Sequence, residues 1–153
     1  MIVVSDTSPI TALLSIRKID LLRQLYDDVG IPSAVAQELL AYHDTLPDFI
    51  QTISVGNSPL LEQLKHRLDP GEAEAIVLAK DVHADLLLID ETLGREVARH
   101  ERLPVIGLMG VLLIAKKRSL IASVCDLIER LEVEAGFYLS RRVKERILAE
   151  AGE

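Results

Sequence analysis

Residues 85–91 read DLLLIDE, four consecutive apolar residues that end directly on two acids. An unbroken apolar run of this length is typical of a buried strand in a parallel sheet. Asp90 and Glu91 would then lie at the carboxyl end of that strand. This is the edge at which α/β folds place their reacting groups.

The pattern also opens the chain, where residues 2–9 read IVVSDTSP. An apolar run leads through Ser5 to Asp6, and two interpretations are open. Asp6, Thr7 or Ser8 caps the helix that Pro9 starts, because short oxygen-bearing side chains accept the free N–H groups of a first turn. Alternatively, Asp6 is a reacting group at a strand end. One acid alone does not decide between these interpretations.

Further strands are predicted at residues 53–55 and 105–106, and Gly30-Ile31-Pro32 is interpreted as a break. The predicted helices cover residues 11–14, 18–25, 33–42, 60–68, 72–82, 93–101, 110–118, 124–131 and 140–150. Ser33, Ser58 and Asp69 are interpreted as helix caps. Short connections between alternating strands and helices predict an α/β fold, with helices on both faces of a central parallel sheet of about 4–5 strands and a helical C-terminal cap. We expect one domain over residues 1–153.

Composition excludes several classes of protein. The net charge of −7 argues against a generally basic nucleic-acid binder, so nucleic-acid binding would need a local basic patch or a metal that neutralises acids. An aromatic content of only 3% weakens any interpretation based on base stacking. A lone Cys125 suits a reducing, cytoplasmic location. We expect neither a signal peptide nor a membrane span, because the longest apolar run, residues 105–115, is too short.

Several acids follow predicted strands or lie in helices with few other polar side chains: Asp6, Glu38, Glu72, Glu74, Asp90 and Glu91. If they converge, two carboxylates about 5 Å apart repel by roughly 3 kcal/mol, so a cation or protons must relieve the cluster. Hard oxygen ligands without His or Cys select Mg²⁺ or Mn²⁺, and such a site suits phosphodiester hydrolysis.

Each acid also has a simpler explanation. Glu38 could lie on a solvated helix face. Glu72 could respond to the helix dipole in a first turn, and Asp90 could cap the helix behind it. The four histidines show no paired metal spacing, and we assign them no role.

Two basic groups are candidates for contact with a phosphate. Arg95, one turn after Asp90, could bind a substrate phosphate or orient the acids, although an ion pair with Glu91 is the simpler expectation. Lys116, Lys117 and Arg118 form a dense basic run and are candidate contacts to an RNA backbone, with ordinary surface charge as the alternative.

The motifs DTSPI (6–10), GEAEAIVLA (71–79), LLLIDETLGR (86–95), VIGLMGVLLIAKKRSLI (105–121) and GFYLS (136–140) together resemble the PIN-domain family, and more narrowly its DUF3368-type prokaryotic branch. The resemblance covers residues 2–150. It implies a PIN-like three-layer α/β/α sandwich and a metal-dependent endoribonuclease that uses Mg²⁺ or Mn²⁺. The family includes toxins of toxin–antitoxin pairs.

By position, the resemblance implies that Asp6, Glu38, Glu72 and Asp90 are the four catalytic, metal-binding acids. The third and fourth acids of the family are usually 18 residues apart, as Glu72 and Asp90 are. The third acid is commonly Asp, so Glu72 departs from the pattern. This leaves catalytic activity open.

The resemblance also implies auxiliary roles. Thr7 or Ser8 would hydrogen-bond a metal ligand or water, with helix capping as the alternative. Glu91 would assist Asp90 or face solvent, and Glu74 is an alternative to Glu72. The implied partners are an RNA substrate, an antitoxin protein that occupies the acidic groove, and a second copy of the chain in a homodimer, packed through residues 21–26 or 111–115.

Other functions fit less well. A catalytically inactive PIN-like module that binds RNA or protein is the main alternative. A phosphoryl-transfer receiver domain would need a second acid beside Asp6, where Ser5 and Thr7 stand. A haloacid-dehalogenase-like phosphatase would need an Asp at the position of Ser8.

Overall fold

The computed structural model describes all residues from 1 to 153. Five strands and nine helices follow one another in the order β1 (Val3–Ser5), α1 (Thr7–Ser15), α2 (Asp20–Tyr26), β2 (Val29–Pro32), α3 (Ser33–Leu40), β3 (Ile50–Ile53), α4 (Pro59–Lys65), α5 (Pro70–Asp81), β4 (Leu86–Leu88), α6 (Thr92–His100), β5 (Val105–Ile106), α7 (Leu108–Lys117), α8 (Val124–Glu134) and α9 (Arg141–Glu150). No helix combines the length and the apolar character needed to cross a membrane.

All five strands are parallel and lie in the order β3-β2-β1-β4-β5. From β1 the chain moves outward to β2 and β3, and it then returns to the other side of β1 to form β4 and β5. The direction of winding therefore changes between β1 and β4. In open α/β sheets this switch point leaves a crevice beyond the carboxyl ends of the strands.

Two hydrophobic clusters cover the two faces of the sheet. Val3 faces a cluster of 26 buried residues that α1, α2, α3, α7 and α8 help to build, whereas Val4 faces a cluster of 15 built with α4, α5 and α6. Alternate residues of β1 thus enter opposite layers, as strand geometry requires. The predicted three-layer α/β/α sandwich is confirmed, with α8 and α9 after the last strand.

The strand β2 was not predicted. Gly30-Ile31-Pro32 was interpreted as a break, but Val29–Pro32 pairs with β1 on one side and with β3 on the other. Gly and Pro have low intrinsic strand propensity, and here pairing on both sides overrides it. The strand predicted at 53–55 lies at Ile50–Ile53.

Two of the three predicted caps are confirmed. Ser58 accepts the N–H of Leu61, and Asp69 accepts the N–H of Glu72. Ser33 is wrong as a cap, because it is already the first residue of α3 and its Oγ lies 3.3 Å from Ser54 Oγ. The Glu74 carboxylate instead accepts the Ala34 N–H at 3.1 Å, which ties α5 to the start of α3.

The apolar segments expected to form a dimer surface lie largely in the core. In segment 21–26, Leu21, Leu22, Leu25 and Tyr26 are buried, and in segment 111–115, Val111, Leu112 and Ala115 are buried. These side chains pack against the sheet and its helices, so they do not themselves form an apolar surface, and the homodimer stays a prediction.

Candidate active site

The acids converge at the switch point of the sheet. Asp6 directly follows β1, and its N–H donates to Leu88 O of the neighbouring strand β4 at 2.9 Å. Asp90 lies just beyond β4, so the two aspartates extend from adjacent strand ends. Glu72 lies in the first turn of α5, and Glu38 lies in α3.

Gly71 marks the centre of the convergence. A Cβ placed on Gly71 would lie 2.8 Å from Glu38 Oε1, 3.4 Å from Asp6 Oδ1 and 3.4 Å from Asp69 Oδ1. Three carboxylates from different parts of the chain therefore point at one spot, which only a residue without a side chain leaves open. Together with Glu72 and Asp90 they form the acid cluster (Asp6, Glu38, Asp69, Glu72 and Asp90).

Asp69 is the member of the cluster that the sequence analysis missed as a site residue. It was interpreted only as a helix cap, and it does accept the Glu72 N–H at 2.8 Å. The available signal was its position three residues before Glu72, because the cap of a helix necessarily lies beside the acids of the first turn.

Asp6 is only 3% exposed, although it is a carboxylate. It occupies the N-cap position of α1, but its side chain makes no capping hydrogen bond, so the capping interpretation is wrong for Asp6. Its pKa is raised to about 7, chiefly by burial. The Thr7 backbone N–H lowers the pKa, and the nearby Asp69, Glu38 and Asp90 contribute to the rise.

Glu72 is 7% exposed. Its Oε2 lies 2.6 Å from the point where a Cβ on Gly94 would stand, so the carboxylate fits against the bare backbone of α6. Its pKa is raised to about 8, chiefly by burial and in smaller part by Asp69, Asp6 and Glu91. The macrodipole of α5 favours ionisation, but it does not outweigh the burial and the neighbouring acids.

Asp90 has one bonded and one free oxygen. Its Oδ1 accepts the N–H of Leu108, the first residue of α7, at 2.8 Å. Its Oδ2 is buried and has no hydrogen-bond partner. Asp90 therefore caps α7, and the alternative that it caps the helix directly behind it is wrong. Burial raises its pKa, while the Leu108 N–H and Arg95 act in the opposite direction.

Of the predicted auxiliary residues, Thr7, Ser8 and Glu91 lie at the site and Glu74 does not. The Thr7 hydroxyl donates to Glu38 Oε2, which is the contact expected for a hydroxyl beside the first acid. Ser8 lines the same side of the site, and Glu91 occupies the N-cap position of α6 without making a capping bond. Glu74 faces away toward Ala34, the contact described above.

A family model described as a PIN domain matches residues 2–153, which is nearly the whole chain. The chain belongs to the PIN-domain family. PIN domains are generally nucleases, and they typically use divalent metal ions. No curated protein and no solved structure matches the chain at significant similarity.

No Lys, Arg or His side chain forms an ion pair with the acid cluster of this PIN domain. Arg95 is the nearest cation, because a Cβ on Gly107 would lie 2.8 Å from Arg95 Nη1 and 2.9 Å from Asp90 Oδ1. The ion pair between Glu91 and Arg95 that the sequence favoured is not formed. The guanidinium of Arg95 therefore lies near Asp90 without an ionic partner.

The basic run lies away from the acids. Helix α7 begins at Leu108 beside Asp90, and Lys116 and Lys117 are at its other end, about 13 Å further along at the usual helical rise. Lys116 is paired with Glu153 at 3.0 Å. The structure does not bring this run together with the acid cluster.

Two cavities open beside the acid cluster. One, of about 730 Å³, lies between α6, α7 and α9 and includes Asp90 and Glu91; we name it the α9 cavity. The other, of about 590 Å³, lies between α1 and the end of α3 and includes Thr7 and Glu38. Phe137, in the connection between α8 and α9, lines both of them.

Proposed function

We propose that this PIN domain is a metal-dependent endoribonuclease that hydrolyses phosphodiester bonds of RNA at the acid cluster. The observation that supports it most is that three carboxylates, those of Asp6, Glu72 and Asp90, meet at the switch point and none of them forms an ion pair. Only Asp90 has a cation beside it, Arg95, and the pKa of Asp90 is raised nevertheless. Buried groups with strongly shifted pKa values are typical of functional sites. A divalent cation would supply the missing positive charge.

The donor set suits Mg²⁺ or Mn²⁺, because every candidate ligand is a carboxylate oxygen. Asp90 Oδ2 has a free coordination position, since it is buried without a partner. As the side chains stand, however, no three His, Cys, Asp or Glu residues are arranged to hold a metal ion. Binding therefore requires side-chain rotation, and Glu38 is the most mobile candidate because it is exposed.

We assign the ligand roles to Asp6, Glu38, Glu72 and Asp90. When bound, the ion would polarise the phosphoryl group and favour ionisation of a water molecule. Thr7 would orient Glu38 through its hydroxyl, and Arg95 would attract the substrate phosphate beside Asp90. At neutral pH Asp6 and Glu72 hold protons part of the time, and loading the site would displace these protons.

Between the two candidate glutamates, we propose Glu72 as the ligand. Its carboxylate is close enough to Asp69 and Asp6 for both of them to raise its pKa. The Glu74 carboxylate is occupied by the backbone N–H of Ala34 in α3. Glu74 would thus fix the position of α3, which carries Glu38.

A calorimetric titration with Mn²⁺ tests the proposal directly. The wild-type protein should bind Mn²⁺, and the Asp6→Asn and Asp90→Asn variants should lose this binding while keeping their helical circular dichroism spectrum. Asp81→Asn is the matched control, because Asp81 is an exposed aspartate at the far end of α5. Unchanged binding in both site variants would contradict the assignment.

The second candidate is a catalytically inactive module that binds RNA or a protein at the same groove. The observation that favours it is that the acids are not arranged to hold a metal ion. Absence of Mn²⁺ binding at millimolar concentration, together with retained RNA or protein binding, would support this function over hydrolysis.

The finer proposal, a toxin that an antitoxin protein neutralises, is supported only by membership of the PIN family. Expression of the chain should then arrest growth, and co-expression with the neighbouring gene product should relieve the arrest. Normal growth on expression of an RNA-cleaving protein would argue against toxicity but leave the nuclease proposal intact.

A further inference from the structure

The α9 cavity adjoins the acid cluster on the β5 side of the sheet. Asp90 forms one end of it, and residues of α6, α7 and α9 form the walls. Its volume of about 730 Å³ lies within the usual range of small-ligand pockets. An RNA strand that crosses the acid cluster toward β5 would enter this cavity.

Two guanidinium groups line the α9 cavity without an ionic partner. Arg95 and Arg146 form no ion pair, whereas two other cations of α9 are paired, Arg141 with Glu145 and Lys144 with Glu132. The two acids that line the cavity, Asp90 and Glu91, lie at the end next to the acid cluster, so both guanidinium groups stay free to contact an anion. Guanidinium groups match the geometry of a phosphate.

An exposed tyrosine lines the same cavity. Tyr138 is 77% exposed, although the chain has only five Phe and Tyr residues and Tyr26 and Phe49 are buried. Gly136 ends α8 with a φ of 62°, and this turn directs the following residues over the site. Nucleobases stack on aromatic rings of this kind in single-stranded nucleic-acid sites.

We propose that the α9 cavity is a nucleotide subsite, in which Tyr138 stacks on a base and Arg146, with Arg95, contacts a phosphate of the same strand. The inference rests on the proposed function, since it places one nucleotide next to the phosphate at the acid cluster. The low aromatic content had argued against base stacking. In this proposal one tyrosine stacks on a base because of where it lies in the fold. Tyr138 and Arg146 are positioning residues in this proposal.

Binding of a fluorescein-labelled, mixed-sequence single-stranded RNA, followed by anisotropy in Ca²⁺, tests the subsite. Tyr138→Ala and Arg146→Ala should each raise the Kd for the RNA about 10-fold, because loss of one stacked base or one phosphate contact has an effect of this order. Arg146→Ala should also reduce the salt dependence by about one phosphate contact. Tyr138→Phe should recover most of the affinity that Tyr138→Ala loses, since the ring is retained.

Arg142→Ala is the matched control, because Arg142 lies on α9, is exposed and unpaired, and does not line the cavity. Its Kd should equal that of the wild type. A wild-type Kd in both Tyr138→Ala and Arg146→Ala, or no RNA binding by the wild type, would overturn the subsite. Equal loss in Tyr138→Phe and Tyr138→Ala would also overturn it, since stacking would not be the cause.

The two proposals can fail separately. If the wild type cleaves RNA in Mn²⁺ and neither its Kd nor its KM responds to Tyr138→Ala, the subsite is wrong and the nuclease stands. If the wild type does not cleave RNA but Tyr138→Ala and Arg146→Ala weaken binding as described, the subsite stands and the nuclease proposal fails.

Discussion

Glu153 and Asp6 both carry a carboxylate, but the fold favours the ionised form of one and disfavours the ionised form of the other. Glu153 accepts the N–H groups of Val124 at 2.7 Å and Cys125 at 3.1 Å at the start of α8, and it also contacts Ser123 and Lys116. These donors lower its pKa to about 2, with the backbone N–H of Val124 as the largest cause. The ionised form of Glu153 is therefore the form that the fold favours.

At Asp6 and Glu72 burial disfavours the ionised form, and no cationic side chain compensates. For Asp6 a pKa of about 7 instead of 3.8 corresponds to a penalty of about 4 kcal/mol for the charged form at alkaline pH. One carboxylate thus supports the fold, while the others work against it. Buried acids without compensating partners are typical of functional sites, which is why we propose the acid cluster as one.

The largest expected effect is on catalysis. Asp90→Asn should reduce RNA cleavage in Mn²⁺ by at least about 100-fold, because even residues that only orient metal ligands contribute about 10- to 100-fold. Its melting temperature without metal should not fall, since an unfavourable buried charge is removed. Gel-based cleavage and thermal melting measure the two effects. An Asp90→Asn variant that melts at a lower temperature than the wild type and cleaves RNA at the wild-type rate would contradict both expectations.

A smaller effect is expected from Gly71→Ala. The new Cβ would lie 2.8 Å from Glu38 Oε1, and the flexible end of Glu38 must move away from the other acids. We expect Mn²⁺ affinity to fall by about 10-fold, as for changes that disturb ligand orientation. The fold should be retained, because Ala is a better helix former than Gly.

Gly56→Ala is the control for that variant, because nothing lies within 4 Å of the added Cβ. Calorimetry with Mn²⁺ on both variants provides the measurement. Equal affinity in Gly71→Ala and the wild type would show that Glu38 is not needed for metal binding.

Stability without metal should depend on pH in the direction set by the raised pKa values. Between the unfolded pKa of 3.8 and the folded pKa of about 7, folded Asp6 holds a proton that the unfolded chain has lost. Stability therefore falls as pH rises through this interval, and Glu72 extends the fall to about pH 8. Melting in EDTA at pH 5 and pH 8 should show a decrease of several degrees.

The Asp6→Asn variant should flatten this pH profile, and Mn²⁺ should restore stability at pH 8 in the wild type only. A wild-type melting temperature that rises steadily from pH 5 to pH 8 in EDTA would contradict the burial of uncompensated acids.

The smallest effect is expected at Glu153, where the sign is reversed. Because its pKa is lowered from 4.5 to about 2, its contribution to stability is present above pH 4.5 and is lost as pH falls through about 2. Glu153→Gln should lower the melting temperature at pH 7 by a few degrees. The difference from the wild type should shrink below pH 4.5.

Glu150→Gln is the control, since Glu150 is exposed and makes no ion pair. A pH-independent difference between wild type and Glu153→Gln would mean that packing rather than charge holds residue 153.

Local patterns predicted much of this molecule. The apolar run before Asp90 predicted a strand with an acid at its end, and β4 confirms it. The caps Ser58 and Asp69 were visible because capping depends on neighbours within one turn. β2 was missed because its residues form a strand only when β1 and β3 pair with them.

The sequence by itself determined the α/β class and the family, since strand patterns and family motifs are properties of short segments. The resemblance to that family also predicted four acids as site residues, and the fold brings them together. Only the tertiary structure decided that Asp69 joins the acids, that Glu74 turns to α3 and that Arg95 stays unpaired. It also placed Tyr138 beside Asp90 in one cavity. These are contacts between distant segments, and they depend on how the layers pack, which no local pattern encodes.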